Sequence, residues 1–155
     1  MRAQRWSVTI FVILAISETG PVVLYDGVCG LCNRLVQFIL KRDVNHRFRF
    51  ASLQSEFAAT LLKRHGADSR DLDTFYVVID HGQAGERVLM RSDAILHVVK
   101  TLGGIWKLAG AGRILPRAIR DAMYRLVARN RYRVFGKYES CMLPSPEHHA
   151  KFLDS

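Results

Sequence analysis

The chain contains few of the residues that would cross-link or interrupt a fold. Its 155 residues include only three cysteines and four prolines. Three cysteines are too few for a disulfide scaffold, and an odd number leaves at least one thiol unpaired. This cysteine content argues against a disulfide-stapled secreted domain. It favours a cytoplasmic protein with one special thiol site, although secretion and peripheral membrane association stay open.

The sequence also lacks an apolar run of the length, about 20 residues, that a membrane-spanning helix needs. The run VTIFVILAI at residues 8–16 has nine residues, with Arg2 and Arg5 before it. Three alternatives explain this region: a signal peptide, an extra strand, or a start codon assigned too far upstream. We therefore expect residues 1–20 to be an N-terminal apolar segment, followed by a single domain over residues 21–155.

Acidic residues are scarce, with 14 Asp and Glu against 23 Lys and Arg, and the net charge is +9. The excess lies in residues 100–140, which hold ten basic and two acidic side chains. Such a segment can lie on an anionic membrane surface or can present an ordinary solvated face. We expect no nucleic-acid partner, because the sequence has neither a recognised binding motif nor an aromatic array for stacking bases.

The rest of the sequence predicts an α/β domain. Short apolar runs at residues 21–26, 48–52, 74–80 and 87–90 predict strands, and helical spacing follows at residues 32–43, 54–65 and 92–102. In the resulting order β-α-β-α-β-β-α, the first two strands should be parallel and the last two antiparallel. This order is thioredoxin-like. Ser92 is the expected N-cap of the third helix.

A helical extension is predicted from about residue 105. It carries an apolar stripe that we expect to cover the sheet domain, and basic side chains that we expect to form a solvated face. The stripe consists of Ile119, Ala122, Met123, Leu126 and Val127, and the basic residues beside it are Arg117, Arg120, Arg125 and Arg129.

The chemistry is concentrated in YDGVCGLCNR, residues 25–34, where Cys29 and Cys32 lie between the first strand and the first helix. A redox pair, half of a metal site and ordinary packing are the three readings of such a C-x-x-C motif. Helix N-termini stabilise a nearby anion, so Cys29 is the expected nucleophile. Cys32, one turn into the helix, is the expected resolving thiol.

Three neighbours of the cysteines are further candidates. Asp26 could relay a proton during exchange, or it could simply be the turn residue before Gly27. Gly30 would allow another chain to approach closely, and Leu31 would offer it an apolar contact.

YDGVCGLCN resembles the signature of the DCC family of thiol-disulfide oxidoreductases, with Asp26, Cys29 and Cys32 as its namesake residues. The later segments RSDAILHVVKTLGG, PRAIRDAMYRLVARNRYRVFG and CMLPSPE are similar to that family too, so the resemblance covers about residues 22–153. It implies a thioredoxin-like fold and dithiol-disulfide exchange with a disulfide-containing protein or a small thiol.

The sequence departs from thioredoxin itself at two places. Val28 stands where thioredoxins have Trp, and no proline precedes the strand at residues 74–80, where thioredoxins keep a cis-proline. Asp73 and Thr74 are therefore the expected substrate-binding residues at that edge.

Three roles are open for Cys141. It could be a third redox thiol, a small packed side chain, or a zinc ligand together with Cys29, Cys32 and His148 or His149. We expect no bound metal, because the two halves of such a site would be over 100 residues apart and no second C-x-x-C accompanies the first. We also expect no tightly bound cofactor. The oligomeric state is left open. A membrane-surface module or a zinc-stabilised binding module is the alternative to an enzyme.

Overall fold

A computed structural model describes residues 20–139 and 145–154. The apolar run at residues 8–16 and Cys141 lie outside the described residues. Four strands alternate with helices in the predicted order. They are β1 (Val22–Tyr25), α1 (Gly30–Arg42), β2 (Arg49–Ser52), α2 (Glu56–Arg64), β3 (Tyr76–Ile79), β4 (Arg87–Met90) and α3 (Arg91–Leu102). A 3-10 helix (Gly104–Ile114), α4 (Arg117–Phe135) and a second 3-10 helix (Pro146–Lys151) follow.

The four strands form one mixed sheet in the order β2-β1-β3-β4. β1 pairs with β2 in parallel, while β3 runs antiparallel to both β1 and β4. A helical crossover joins β1 to β2 and a short loop joins β3 to β4, as the two kinds of pairing require. The arrangement confirms the predicted α/β architecture and is consistent with a thioredoxin-like fold.

The central strand β1 divides the core between the two faces of the sheet, because successive side chains of a strand point to opposite faces. Val23 and Tyr25 belong to the cluster that contains residues of α1 and α3. Val22 and Leu24 belong to the cluster that contains residues of α2. All four side chains are buried, so β1 ends inside the protein and delivers the C-x-x-C motif to the edge of its core.

The N-cap of α3 differs from the sequence prediction. Helix α3 begins at Arg91 with Met90 as its N-cap, so the prediction of Ser92 as N-cap is wrong. The Ser92 hydroxyl donates instead to Asp121 Oδ1 of α4 at 2.5 Å, which ties the two helices together.

The apolar stripe of α4 does not cover the sheet, contrary to our expectation. Met123 is 60% exposed, Leu126 66% and Val127 50%. Helix α4 packs against α1 and α3 through a different face, on which Ala128 and Arg131 are the buried residues. The stripe was misassigned because two faces of α4 have helical periodicity, and only packing decides which of them turns inward.

Candidate active site

The C-x-x-C motif lies at the amino-terminal end of α1. Cys29 is the N-cap residue, with an extended backbone at φ −84° and ψ 123°. Asn33 stabilises the turn, since its backbone N–H donates to Cys29 O at 3.0 Å and its Nδ2 donates to Gly27 O at 2.8 Å. The Cys29 side chain therefore lies where the free N–H groups and the dipole of the helix favour negative charge.

The two thiols have opposite acidities. A hydrogen bond from the Cys32 thiol, helped by the backbone N–H groups of Cys32 and Leu31 and by the charge of Arg131, lowers the pKa of Cys29 from 9.0 to about 6. The same hydrogen bond, together with burial, raises the pKa of Cys32. At neutral pH the pair therefore carries one thiolate, on Cys29, with the remaining proton on Cys32.

Cys29 is covered by the chain's own backbone. Residues 136–138, which we call the cover segment, run antiparallel to the motif, with Lys137 opposite Cys29. The Gly30 N–H donates to Gly136 O at 3.1 Å, and the Tyr138 N–H donates to Val28 O at 2.8 Å. Cys29 is 0% exposed, whereas Cys32 is partly exposed.

Gly30 is required for this arrangement. A Cβ at this position would lie 2.1 Å from the carbonyl oxygen of Phe135, which is a backbone atom and cannot swing away. The place where the sequence predicted the approach of another chain is thus occupied by residues 135–136 of the same chain.

Asp26 is buried beside the thiols and its carboxylate has four donors. Oδ1 accepts from the Val28 N–H at 3.2 Å and from Gln54 Nε2 at 2.8 Å. Oδ2 accepts from Arg131 Nη2 at 3.4 Å and from the Tyr132 hydroxyl. The bond to Val28 is the turn contact that the sequence suggested, and the others connect Asp26 to α4.

Arg131 links this carboxylate to a second one. It is 3% exposed, and its Nη1 donates to Asp73 Oδ1 at 2.9 Å while its Nη2 donates to the Tyr132 hydroxyl at 3.0 Å. Burial and the hydrogen bond to Asp26 raise the pKa of Tyr132 to about 12, so its phenol stays protonated. The guanidinium thereby ties α4 to the turn after β1, through Asp26, and to the loop before β3, through Asp73.

An apolar cleft of about 480 Å³ opens next to these groups, between α1, the loop before β3, α3 and α4. Cys32 lines it, and Cys29 does not. Of the other residues singled out from the sequence, Asp26, Leu31 and Thr74 line the same cleft. The cleft also includes the apolar residues Leu35, Leu72, Phe75, Ile95, Leu96, Leu115, Met123, Tyr124, Val127 and Ala128.

The two residues expected at the substrate edge are placed differently. Thr74 is buried, and its hydroxyl donates to Asp71 Oδ2 at 2.7 Å. Asp73 is not part of the cleft wall and reaches the site through its ion pair with Arg131. Tyr124 of α4 holds this loop, because its hydroxyl donates to Asp73 O at 3.1 Å and accepts from the Phe75 N–H at 2.8 Å.

Sequence reasoning missed Gln54, Tyr124, Arg131 and Tyr132. Arg131 counted there only as one of many basic residues. The signal that could have found it is the spacing of Tyr124, Ala128 and Arg131, which places the three on one face of α4. That face turns inward in the structure.

No group of three or more His, Cys, Asp or Glu side chains that could hold a metal ion occurs within residues 20–139 and 145–154. Cys141 lies outside these ranges, so its proposed roles as a third thiol or a zinc ligand stay predictions. No helix among the described residues is long and apolar enough to cross a bilayer.

The acidity of Cys29 predicts a pH profile. Alkylation by iodoacetamide should increase with pH and reach half of its maximum near pH 6, because only the thiolate reacts. Reduced protein should also become more stable between about pH 6 and pH 9, since an unfolding chain must then take up a proton on Cys29. Alkylation rates followed by mass spectrometry and denaturant midpoints measured across this range test both effects.

Cys29→Ser is the control for this profile. It should remove the reactivity near pH 6 and flatten the increase in stability. A wild-type midpoint of reactivity above about pH 8, the range of an ordinary cysteine, would contradict the assignment of the thiolate to Cys29.

Comparison with known proteins places the chain in a family. The model of the DCC1-like thiol-disulfide oxidoreductases matches residues 23–137, which include the whole site. An uncharacterized Bacillus subtilis protein, YuxK, is 45% identical over 139 residues, covering 88% of this chain and 98% of the relative. A chloroplastic DCC family protein of Arabidopsis thaliana is 37% identical over 127 residues, covering 81% of this chain and 71% of the relative. No solved structure matches the chain significantly. The chain thus belongs to the DCC1-like thiol-disulfide oxidoreductase family.

Proposed function

We propose that the protein exchanges disulfides through Cys29 and Cys32. The Cys29 thiolate attacks a disulfide of the substrate and forms a mixed disulfide with it. Cys32 then attacks Cys29, releases the reduced substrate and leaves the Cys29–Cys32 disulfide. The observation that carries this proposal is the acidity of Cys29, whose pKa of about 6 makes it a thiolate at neutral pH.

The substrate that we propose for this step is a disulfide-containing protein or a small-molecule disulfide. Because Cys29 has no exposed surface and the cover segment pairs with its backbone, we propose that such a substrate displaces this segment to reach the sulfur. The segment is held there by two backbone hydrogen bonds, each of which contributes only about 1 kcal/mol net. A substrate backbone that forms the same bonds with Val28 and Gly30 would offset their loss.

Asp26 and Cys32 both line the cleft, which supports a role for the carboxylate in the second step. Cys32 must lose its proton to attack Cys29, although its pKa is raised. We propose that Asp26 assists that loss. Its contacts with Arg131 and Tyr132 keep the carboxylate beside the thiols while it does so.

A redox titration tests the proposed function directly. The protein is equilibrated with glutathione or dithiothreitol buffers of graded potential, and the Cys29–Cys32 disulfide is quantified by mass spectrometry. We expect a two-electron transition between about −270 and −120 mV, the range of known dithiol oxidoreductases. A pair that stays reduced throughout, or stoichiometric zinc that is lost on Cys141→Ser, would instead favour a structural role.

A specific observation favours a second candidate function, contact with an anionic membrane surface. Large apolar side chains are exposed along the 3-10 helix and α4, among basic ones. The apolar set is Ile105, Leu108, Ile114, Leu115, Ile119, Met123, Leu126 and Val127. From the sequence we preferred a solvated basic face, because this stripe was expected to cover the sheet; the exposure of the stripe removes that reason.

Only some of the basic residues are free for such contact. Arg117 and Arg120 form ion pairs with Asp93, at 3.4 and 3.0 Å, and so are already committed to packing α4 against α3. Arg125 and Arg129 are exposed on α4. Of the four basic residues named beside the stripe, these two are therefore the ones whose charge we expect a membrane to attract.

We expect Arg125→Gln/Arg129→Gln to weaken binding to phosphatidylserine vesicles about thirtyfold. Each basic residue near such a surface contributes about 1 kcal/mol, and about 2 kcal/mol corresponds to that factor. Co-sedimentation measures the change, and Lys41→Gln/Lys63→Gln is the control with equal loss of charge on α1 and α2. A membrane role would be contradicted if wild-type protein does not bind these vesicles, or if its binding does not weaken as the salt concentration increases.

A further inference from the structure

The two sulfurs of the motif differ in how exposed they are and in which part of the protein surrounds them. The cover segment lies over Cys29, which has no exposed surface. Cys32 is partly exposed and belongs to the wall of the apolar cleft. A molecule inside the cleft therefore meets Cys32 directly, whereas a molecule that attacks Cys29 must first displace the residues that bury it.

The charged groups of the cleft already have partners within the protein. Arg131 is paired with Asp26 and Asp73, and Arg120 is paired with Asp93 and also donates to Leu115 O. A charged ligand would have to compete with these pairs and to lose its own hydration in an apolar space. The cleft therefore favours an uncharged ligand.

One polar atom of the cleft residues is left without a partner. Arg131 Nε is buried and has no acceptor among the described residues. A buried donor of this kind costs about 1–3 kcal/mol unless an acceptor reaches it. The atom has no exposed surface that a ligand could contact, so the preference of the cleft rests on its apolar wall and its paired charges.

The size of the cleft suits a small molecule. Its volume of about 480 Å³ lies within the usual range for ligand sites, about 300–1,000 Å³. Met123 and Val127, both half or more exposed, belong to its wall and mark the side that opens to solvent.

We propose that the cleft binds a small, uncharged, apolar thiol or dithiol, which reduces the Cys29–Cys32 disulfide by attacking Cys32. This inference rests on the proposed function, which supplies the disulfide. The oxidation of the pair by the substrate and its reduction by the thiol would then take place on two different faces of the protein. The substrate disulfide is reduced at Cys29 beneath the cover segment, and the reductant enters through the cleft.

The step balances as a thiol-disulfide exchange. A thiolate of the reductant forms a bond with Cys32 Sγ, and the Cys29–Cys32 bond breaks with its electron pair on Cys29. Cys29 is the better leaving group, because its pKa is the lower of the two. A second thiol, either the other thiol of a dithiol or that of a second monothiol molecule, then attacks the sulfur bound to Cys32 and forms the oxidised disulfide of the reductant. Cys32 is released and takes one proton, while the other proton goes to solvent.

The first test compares two uncharged dithiols that differ in their apolar part. Oxidised Cys141→Ser protein is reduced by dihydrolipoamide, which has an alkyl chain and an amide carbonyl, or by dithiothreitol, which has neither. Each rate is divided by the rate of the same dithiol with a model disulfide. We expect dihydrolipoamide to be at least about tenfold faster on this scale. Equal normalised rates would overturn the proposal.

Val127→Glu places a charge at the cleft wall and should remove most of the advantage of dihydrolipoamide over dithiothreitol. Val44→Glu is the matched control, because Val44 is also exposed but lies outside the cleft. It should change neither rate. An advantage that survives Val127→Glu unchanged would show that the ligand does not bind in the cleft.

The second test does not depend on disulfide formation. In Cys29→Ser/Cys141→Ser protein the remaining thiol is Cys32. Uncharged dithiodipyridine should modify it at least about tenfold faster than dianionic dithiobis(nitrobenzoate), after both rates are normalised to a model thiol. Equal rates would overturn the cleft proposal even if the redox titration succeeds. If Cys32 reacts selectively with dithiodipyridine but the Cys29–Cys32 disulfide never forms in the redox titration, the proposed function is refuted and only the ligand-binding cleft is supported.

Discussion

Cys29→Ser should reduce exchange with a disulfide substrate to the uncatalysed rate, and Cys32→Ser should stop the reaction at a mixed disulfide on Cys29. Serine cannot become a comparable nucleophile at neutral pH, whereas Cys29 is a thiolate there. Without Cys32 nothing in the pair can displace the substrate from Cys29. Mass spectrometry of the protein quenched with acid identifies the adduct and the cysteine that carries it.

Cys141→Ser is the matched control, since it removes one thiol and leaves the pair intact. It should retain exchange activity if Cys141 has no redox role, and it should lose a later disulfide shuffling step if Cys141 is a third redox thiol. An adduct found on Cys32 in wild-type protein, with Cys29 free, would reverse the proposed roles for the disulfide substrate.

Arg131→Met should lower the free energy of unfolding by about 3–5 kcal/mol, a large part of the total for a domain of this size. The substitution leaves the Asp26 carboxylate buried, 1% exposed, without its cation. It also removes the tie between α4 and Asp73. The pKa of Cys29 should increase as well, because the charge of Arg131 is one of the causes that lower it. Urea denaturation and the iodoacetamide pH profile measure the two effects.

Arg129→Met is the control on the same helix, and we expect it to change stability by no more than about 0.5 kcal/mol because Arg129 is exposed. Asp26→Asn/Arg131→Met should be more stable than Arg131→Met alone, since it removes the unpaired carboxylate as well as the guanidinium. If both Arg131→Met and the double variant were as stable as wild type, the buried ion pair would have no role in stability.

Local patterns were sufficient to predict the strands, the helices and the position of the C-x-x-C motif. Their signals lie within a few residues of one another, as in the buried run of β1 and the helical spacing of Val36, Ile39 and Leu40. The order of the elements then allowed few sheet topologies, because a helical crossover makes a parallel pair and a short loop makes an antiparallel one. The low pKa of Cys29 follows mainly from the hydrogen bond of its neighbour Cys32 and then from the backbone N–H groups at the start of the helix. Both causes are local, so the sequence could predict them.

Long-range contacts were not predictable in this way. Helix α4 has an apolar stripe and a basic face, and the sequence favoured the stripe as the buried side. The structure buries Ala128 and Arg131 instead, because the Arg131 guanidinium forms ion pairs with the carboxylates of Asp26 and Asp73, which lie far from α4 in sequence. That choice leaves Met123, Leu126 and Val127 exposed.

The sequence by itself thus determined the α/β order, the C-x-x-C motif and the helix N-terminus at which Cys29 lies, since each depends on neighbouring residues. Only the tertiary structure decided how the two sulfurs are reached. Residues 136–138 cover Cys29 and α4 closes one side of the cleft at Cys32, although both lie about a hundred residues further along the chain. Contacts between residues so far apart in sequence depend on which surfaces remain after the local elements have packed. The periodicity of the sequence does not predict them.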